Sequence, residues 1–335
     1  SAYFSATKYQ GGGFSAQSIT GVGFQPDFVW VKNRTVSASH VLYDSNRGVQ
    51  KAIFSDSTSA ETTRSGLTSF DSDGFSLGSA GTENGSSSNE YISWNWLANG
   101  GTTSSNTDGS ITSTVQANTT AGFSIVTYTG NATAGATIGH GLSSAPDVII
   151  LKDRDDTSGG VVYHSSNTSA PETDYLLLYD TSATLDSNTI WNDTAPTSSV
   201  FSVGSSGAVN DGTNYIAYCF HSVAGFSKAF SYTGNGSSDG SFVYCGFKPA
   251  FILIKRTDGA ENWVIYDTAR DTYNELDSVL YTNLSNAEFS GTTVNADALS
   301  NGFKLRDTWS AVNASGGSYI GIAFAETPFK YSTAR

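Results

Sequence analysis

Gly23-Phe24-Gln25-Pro26-Asp27-Phe28-Val29-Trp30-Val31-Lys32 is a phrase this chain repeats. It returns as Ala145-Pro146-Asp147-Val148-Ile149-Ile150-Leu151-Lys152, and again as Gly246-Phe247-Lys248-Pro249-Ala250-Phe251-Ile252-Leu253-Ile254-Lys255. In each copy Lys follows Pro by six positions, with an apolar run between them. Short apolar runs rich in β-branched and aromatic residues, bounded by Gly or Pro, read as strands, and continuous apolarity places them centrally, covered on both faces.

Working outward, a second phrase recurs: Tyr91-Ile92-Ser93-Trp94-Asn95-Trp96, Tyr215-Ile216-Ala217-Tyr218-Cys219-Phe220 and Tyr319-Ile320-Gly321-Ile322-Ala323-Phe324. The intervals from Lys32 to Tyr91, Lys152 to Tyr215 and Lys255 to Tyr319 are 59, 63 and 64 residues. Here the apolar residues alternate, putting Ile92, Trp94 and Trp96 on one strand face, with the same pattern in the other copies. An opening Tyr-x-Gly precedes each set at Tyr9, Tyr128 and Tyr232, and Val41–Asp44, Val161–His164 and Val264–Asp267 follow the lysines. Phrases recurring in one order at similar spacing define homologous units. The expectation is an all-β chain of three tandem β-sandwich domains of jelly-roll type: residues 1–99, 122–224 and 225–335. Residues 100–121, rich in Ser, Thr, Asn and Gly, read as a linker from which the first domain hangs loosely. One short helix is expected near Asn283–Glu288, capped by Ser285.

Composition narrows the function. Charged residues are 14% of the 335, against about 25% in an average soluble domain. Aromatic residues at 13% and hydrophobic residues at 38% are enough to build cores. A net charge of −13, with no basic cluster beyond Lys255-Arg256, argues against a nucleic-acid partner. No apolar run approaches the ~20 residues of a membrane-spanning helix. No secretion signal is visible at Ser1. Cys219 and Cys245 are too few for a disulfide framework; separate buried thiols are expected, with a bridge between them left open.

Motifs with catalytic potential dissolve on alignment. Gly74-Phe75-Ser76-Leu77-Gly78 matches the nucleophile pattern of serine hydrolases. Yet Ser76 aligns with Ser202 and Lys304 inside an alternating strand, and no helix pattern follows. Asp71 and Asp73, and the cluster Asp153, Asp155 and Asp156, lack the full donor set of a calcium loop. His40, His140, His164 and His221 have no zinc spacing. No cofactor is implied. The repeated Lys32, Lys152 and Lys255, with Tyr91, Tyr215 and Tyr319, are expected to be structural anchors, the lysines pairing with Asp44 and Asp267 or reaching out at the sheet rim. Trp191, Trp263 and Trp309, flanked by Asn192, Asp193 and Asn262, are the candidates for stacking and hydrogen-bonding a glycan.

The phrases Gly225-Phe226-Ser227, Asn283-Leu284-Ser285-Asn286-Ala287-Glu288, Leu299-Ser300-Asn301-Gly302-Phe303 and Ala325-Glu326-Thr327-Pro328-Phe329-Lys330-Tyr331 resemble a family of tailed-phage virion proteins. Those are repeat domains met near tail fibres and lectin-like jelly rolls. Gly23 to Lys32 and Leu67 to Phe75 look like the amino-terminal version. The second unit departs, its Gly141-Leu142-Ser143-Ser144-Ala145-Pro146 being two residues longer. The resemblance implies a virion-surface location and no catalytic residues. The chain then reads as a non-enzymatic tail-fibre-like or capsid-surface component. Its partners would be further copies of itself, a trimer among the options, and other virion proteins; the alternative is an adhesin for host surface glycans.

Overall fold

The computed structural model describes residues 3–79 and 81–325. Residues 326–331 of the closing phrase lie outside the described residues.

The protein is all-β. Its first stretch holds β1 (Phe4–Gln10), β2 (Gln17–Thr20), β3 (Phe28–Asn33), β4 (Val41–Asp44), β5 (Lys51–Phe54), β6 (Thr62–Thr63), β7 (Leu67–Asp71), β8 (Gly74–Leu77) and β9 (Glu90–Trp96). Next come β10 (Ser104–Asn106), β11 (Ser113–Asn118), β12 (Phe123–Thr129), β13 (Ala136–Gly139), β14 (Val148–Asp153), β15 (Val161–His164), β16 (Asp174–Leu177), β17 (Leu185–Asp186), the single turn α1 (Asn188–Trp191), β18 (Val200–Val203) and β19 (Asn214–Phe220). The last stretch holds β20 (Ser227–Thr233), β21 (Phe242–Tyr244), β22 (Pro249–Arg256), β23 (Val264–Asp267), β24 (Ser278–Tyr281), β25 (Phe289–Ser290), β26 (Ala296–Leu299), β27 (Gly302–Leu305), α2 (Ser310–Asn313) and β28 (Ser318–Ala325).

Three large antiparallel sheets have the same core order: β1-β9-β3-β4-β5-β6, β12-β19-β14-β15-β16-β17 and β20-β28-β22-β23-β24-β25. Smaller sheets, β2-β8-β7, β13-β18 and β21-β27-β26, lie against them. The apolar strands β3, β14 and β22 are buried on both faces. Val29 and Val31 point to the small sheet, with Phe75 and Leu77, while Phe28 and Trp30 point the other way. Ile149 and Leu151 against Val148 and Ile150, and Ile252 and Ile254 against Phe251 and Leu253, repeat the division.

The outward residues of all three large sheets meet in one shared core. Trp96, Phe220 and Phe324, the last residue of each alternating phrase, touch one another there. Their ring centroids are 6.3 Å (Trp96–Phe220), 5.6 Å (Phe220–Phe324) and 5.5 Å (Trp96–Phe324) apart. The first stretch is therefore not loosely hung, since the faces of β3 and β9 opposite its own small sheet close against the other two. Nor are residues 100–121 a plain linker. β11 pairs with β12 and carries β10 on its far side, because Ile111, Val115 and Gln116 have buried places to go. β12 thus has its outer edge covered. β1 and β20, which have no strand outside them among the described residues, carry the exposed Lys8 and Lys228, charges that discourage pairing with another edge.

No helix forms at Asn283–Glu288. The segment leaves a turn and lies irregular beside the first stretch, which takes its backbone groups: Ser285 O accepts from Ala38 N at 2.8 Å and Glu288 N donates to Arg34 O at 2.8 Å. Both cysteines are free and buried. No helix among the described residues is long and apolar enough to cross a membrane.

Candidate functional site: the junction of the three large sheets

The repeated lysines do not pair with Asp44 and Asp267, and they do not reach solvent. Each is buried, and each spans a junction by donating to backbone carbonyls. Lys32 Nζ reaches Ser285 O (3.1 Å) and Asn33 O (2.8 Å). Lys152 Nζ reaches Ser57 O (3.3 Å) and Ser158 O (2.7 Å). Lys255 Nζ reaches Thr181 O (3.1 Å) and Glu261 O (2.9 Å). The set is cyclic: first stretch to third, second to first, third to second. Burial brings all three ammonium groups down to about 8.

The aspartates have other partners. Asp44 holds Arg47 at 2.5 Å and Asp267 holds Arg270 at 2.6 Å, every one of these side chains fully buried. Arg47 also binds Glu61 (2.9 Å), which grips Arg154 of the second stretch. In the same way Arg270 binds Glu288 (3.1 Å), which grips Arg34 of the first stretch through two bonds of 2.8 and 2.7 Å. Burial disfavours the Glu288 carboxylate, but Arg34 and Arg270 outweigh it and hold its pKa below the usual range. Neighbouring rings complete both networks. Tyr218 Oη donates to Asp44 Oδ2 (2.7 Å), and Trp94 Nε1 donates to Asp267 Oδ2 (3.1 Å).

The junction of the second and third stretches has no charges at the matching places. His164 stands where the others have Asp, Asn167 where they have Arg, and Thr184 and Thr257 replace the Glu–Arg grip, joined by Thr184 N to Thr257 O at 2.9 Å. Ile322 occupies the position of Trp94 and Tyr218, so His164 Nε2 bonds Gly321 O instead (3.0 Å). A small apolar void of about 10 Å³ remains beside Ile322, Leu253 and Trp263. Burial pulls the His164 imidazole down to about 4.

The repeated tyrosines close the other end of each large sheet. Tyr91 stacks on Tyr9, Tyr215 on Tyr128 and Tyr319 on Tyr232, with centroids 4.9, 5.0 and 4.9 Å apart. Beneath each stack lies a buried asparagine that recurs at the same place: Asn84, Asn210 and Asn313. Its Oδ1 accepts from the loop after the opening Tyr-x-Gly, at Gly12 N, Asn131 N and Asn235 N. The glycine of that phrase is obligatory in the first and third copies, since a Cβ on Gly11 would stand 2.3 Å from Ser86 O and one on Gly234 2.3 Å from Ala314 O. These asparagines, and Arg34, Arg47, Glu61, Arg154, Arg270 and Glu288, were not picked out from the sequence. The spacing Asp44-x-x-Arg47 and Asp267-x-x-Arg270 was the available signal.

The proposed glycan residues are not brought together. Trp191 is 2% exposed and packs edge-on against Tyr163; Trp263 is 2% exposed with Nε1 on Leu177 O. Neither ring offers a face to a sugar. Trp309 is half-buried against Tyr281. Asn192 forms the left-handed C-cap of α1, Asp193 is exposed beside it, and Asn262 Oδ1 accepts from Asn283 Nδ2. Ser76 Oγ bonds Ser18 Oγ and Asp71 Oδ2. Asp153 Oδ1 caps the turn at Asp155 N and Asp156 N. Among the described residues no group of three or more His, Cys, Asp or Glu side chains is placed to hold a metal ion.

Fold and junction together define an all-β protein of paired antiparallel sheets, its buried lysines and its Asp44 and Asp267 networks engaged in holding the large sheets to one another. The chain belongs to the family described as a domain of unknown function (DUF7483), whose model matches residues 1–328. Neither the curated proteins nor the solved structures contain a significant match.

Proposed function

We propose that the chain is a non-enzymatic structural component of a tailed-phage virion, built from three tandem copies of one jelly-roll-like sandwich and carried on the particle surface as a tail-fibre-like or capsid-surface appendage. The observation that carries this reading is the cyclic junction. Lys32, Lys152 and Lys255 tie each large sheet to the next, and the aromatic centre is closed by Trp96, Phe220 and Phe324. A stiff body of this kind suits a part that transmits load and carries no moving active site. On this reading the appendage is present in many copies and contacts itself and other virion proteins. Mass photometry of the recombinant protein and immunolabelling of purified particles test the proposal; a strict monomer absent from particles would sink it. Turnover of host capsular or envelope polysaccharide, abolished by one carboxylate substitution, would end the non-enzymatic part.

A carbohydrate-binding adhesin is the second reading. It is favoured by one observation: in a chain that buries most of its aromatic rings, Phe242 and Tyr244 stand exposed side by side on one sheet.

A further inference from the structure

Phe242 and Tyr244 are 45% and 64% exposed, at alternate positions of β21, the edge strand of the sheet β21-β27-β26. Alternate residues of a strand lie about 7 Å apart on one face. Val243 between them turns into the core. The other small sheets serve as internal controls. The pairs Phe242↔Lys304 and Tyr244↔Gly302 correspond to Ser18↔Ser76 and Thr20↔Gly74, and to Thr137↔Ser202 and Gly139↔Val200. Two of the three sheets thus form with only hydroxyl or glycine residues at these places, so folding does not demand the rings. In the second sheet this strand is also covered, Ile111 N bonding Thr137 O and Asn106 lying where a Cβ on Gly139 would go.

Beside the two rings the sheet face is low at Gly302, and its charges are paired. Gly302, opposite Tyr244, cannot carry a side chain, because a Cβ would stand 2.1 Å from Val243 O. Lys304 is paired with Asp239, and Arg306 with Asp297 at 2.5 Å. On the sheet face itself two cations match two carboxylates.

We propose that this face binds a neutral glycan chain, whose apolar C–H ring faces pack on Phe242 and Tyr244 while Asp239 and Lys304 at the border take its hydroxyls. The gain comes from apolar area removed from water, about 25 cal/mol per Å². Size separates this occupant from a protein. Three strands about 4.8 Å apart, each about four residues long, cover roughly 200 Å², whereas a stable protein interface takes about 800 Å² from each partner. The site deepens the adhesin reading and moves it away from Trp191, Trp263 and Trp309.

Affinity electrophoresis of the full chain in gels containing laminarin, hydroxyethylcellulose, galactomannan or xylan, with alginate as the acidic comparison, tests the site. The variant Phe242→Ser/Tyr244→Thr reproduces the residues of the first small sheet and is expected to keep the wild-type circular dichroism spectrum and melting temperature. Ser18→Ala/Thr20→Ala, on the first sheet, is the control. At least one neutral polysaccharide should retard the wild type and the control alike, with binding at least tenfold weaker in Phe242→Ser/Tyr244→Thr. Equal retardation of that folded variant would overturn this site while leaving the adhesin reading standing. Absence of retardation in every gel would remove both. If instead the substitutions altered only self-association in sedimentation velocity, the face would belong to a second copy of the chain and the proposal would be wrong.

Discussion

Arg34 grips Glu288 through two hydrogen bonds across 254 positions of the chain, and Glu288 at the same time satisfies the fully buried Arg270. Cutting the carboxylate leaves two guanidinium groups short of a partner. Glu288→Thr should therefore destabilise the protein by about 3–5 kcal/mol, the usual cost of breaking a buried ion pair from one side. Adding Arg34→Thr recreates the Thr–Thr arrangement of Thr184 and Thr257, and should recover part of that loss. Urea denaturation of the two single variants and the double variant measures the coupling. Additive losses would show that the pair is not held as a unit.

Lys152 carries the opposite sign of pH dependence from a lysine held in a salt bridge. Burial brings it down to about 8 from 10.5, so between those values the unfolded chain binds more protons than the folded one. Its contribution to stability then rises with pH across that window, by at most about 1.4 kcal/mol per pH unit for each such lysine. Lys32 and Lys255 act the same way. Burial raises the thiols of Cys219 and Cys245 and the hydroxyls of Tyr218 and Tyr266, which pull the other way over the same range. The difference therefore carries the test: from pH 8 to pH 10 the wild type should gain stability relative to Lys152→Met. A wild-type advantage over Lys152→Met that shrinks across that range would contradict the buried, carbonyl-bound ammonium.

His164 gives an acid limit. Its Nε2 bonds Gly321 O and its Nδ1 accepts from Ser166 N (3.1 Å), so a second ring proton would face a donor. Burial depresses the imidazole to about 4, against weaker upward pulls from the Gly321 O bond and Asp147. Its contribution is whole above 6.5 and is lost as pH falls toward 4. In His164→Gln, whose amide can still donate to Gly321 O, the loss between pH 6.5 and 4 should be smaller than in the wild type. His40 is also lowered by burial and supplies a common background to both curves.

Asn210 supports the second tyrosine stack with four backbone contacts, accepting from Asn131 N and Ala132 N and donating to Thr133 O and Gly204 O. Asn210→Ala strands several buried groups at about 1–3 kcal/mol each, less whatever water can replace. A loss of about 3 kcal/mol in thermal or urea unfolding is expected, with similar losses for Asn84→Ala and Asn313→Ala.

Trp191→Ala should cost about 3–5 kcal/mol by opening a cavity in the core, with no direct effect on any surface site. Glycan-binding measurements on this variant at temperatures where it remains folded should match the wild type. Selective loss of binding in the folded variant would restore Trp191 as a contact.

Local sequence determined the strands. Continuous apolar runs with Pro before and Lys after place β3, β14 and β22 to within a few residues, and alternation places β9, β19 and β28. Such patterns report that a residue is buried, because burial of apolar area drives both faces alike. They do not report against what. Ile92, Trp94 and Trp96 look the same in sequence whether they face a neighbouring small sheet or the large sheets of two other stretches. Tertiary structure alone decided that they meet Phe220 and Phe324 in a shared core, that residues 100–121 add strands to the second sheet, and that the segment 283–288 forms no helix. It alone also decided the partners of the repeated lysines. Lys32, Lys152 and Lys255 bind backbone carbonyls, which every residue possesses, so no side-chain pattern could have named Ser285, Ser57 or Thr181 as their acceptors.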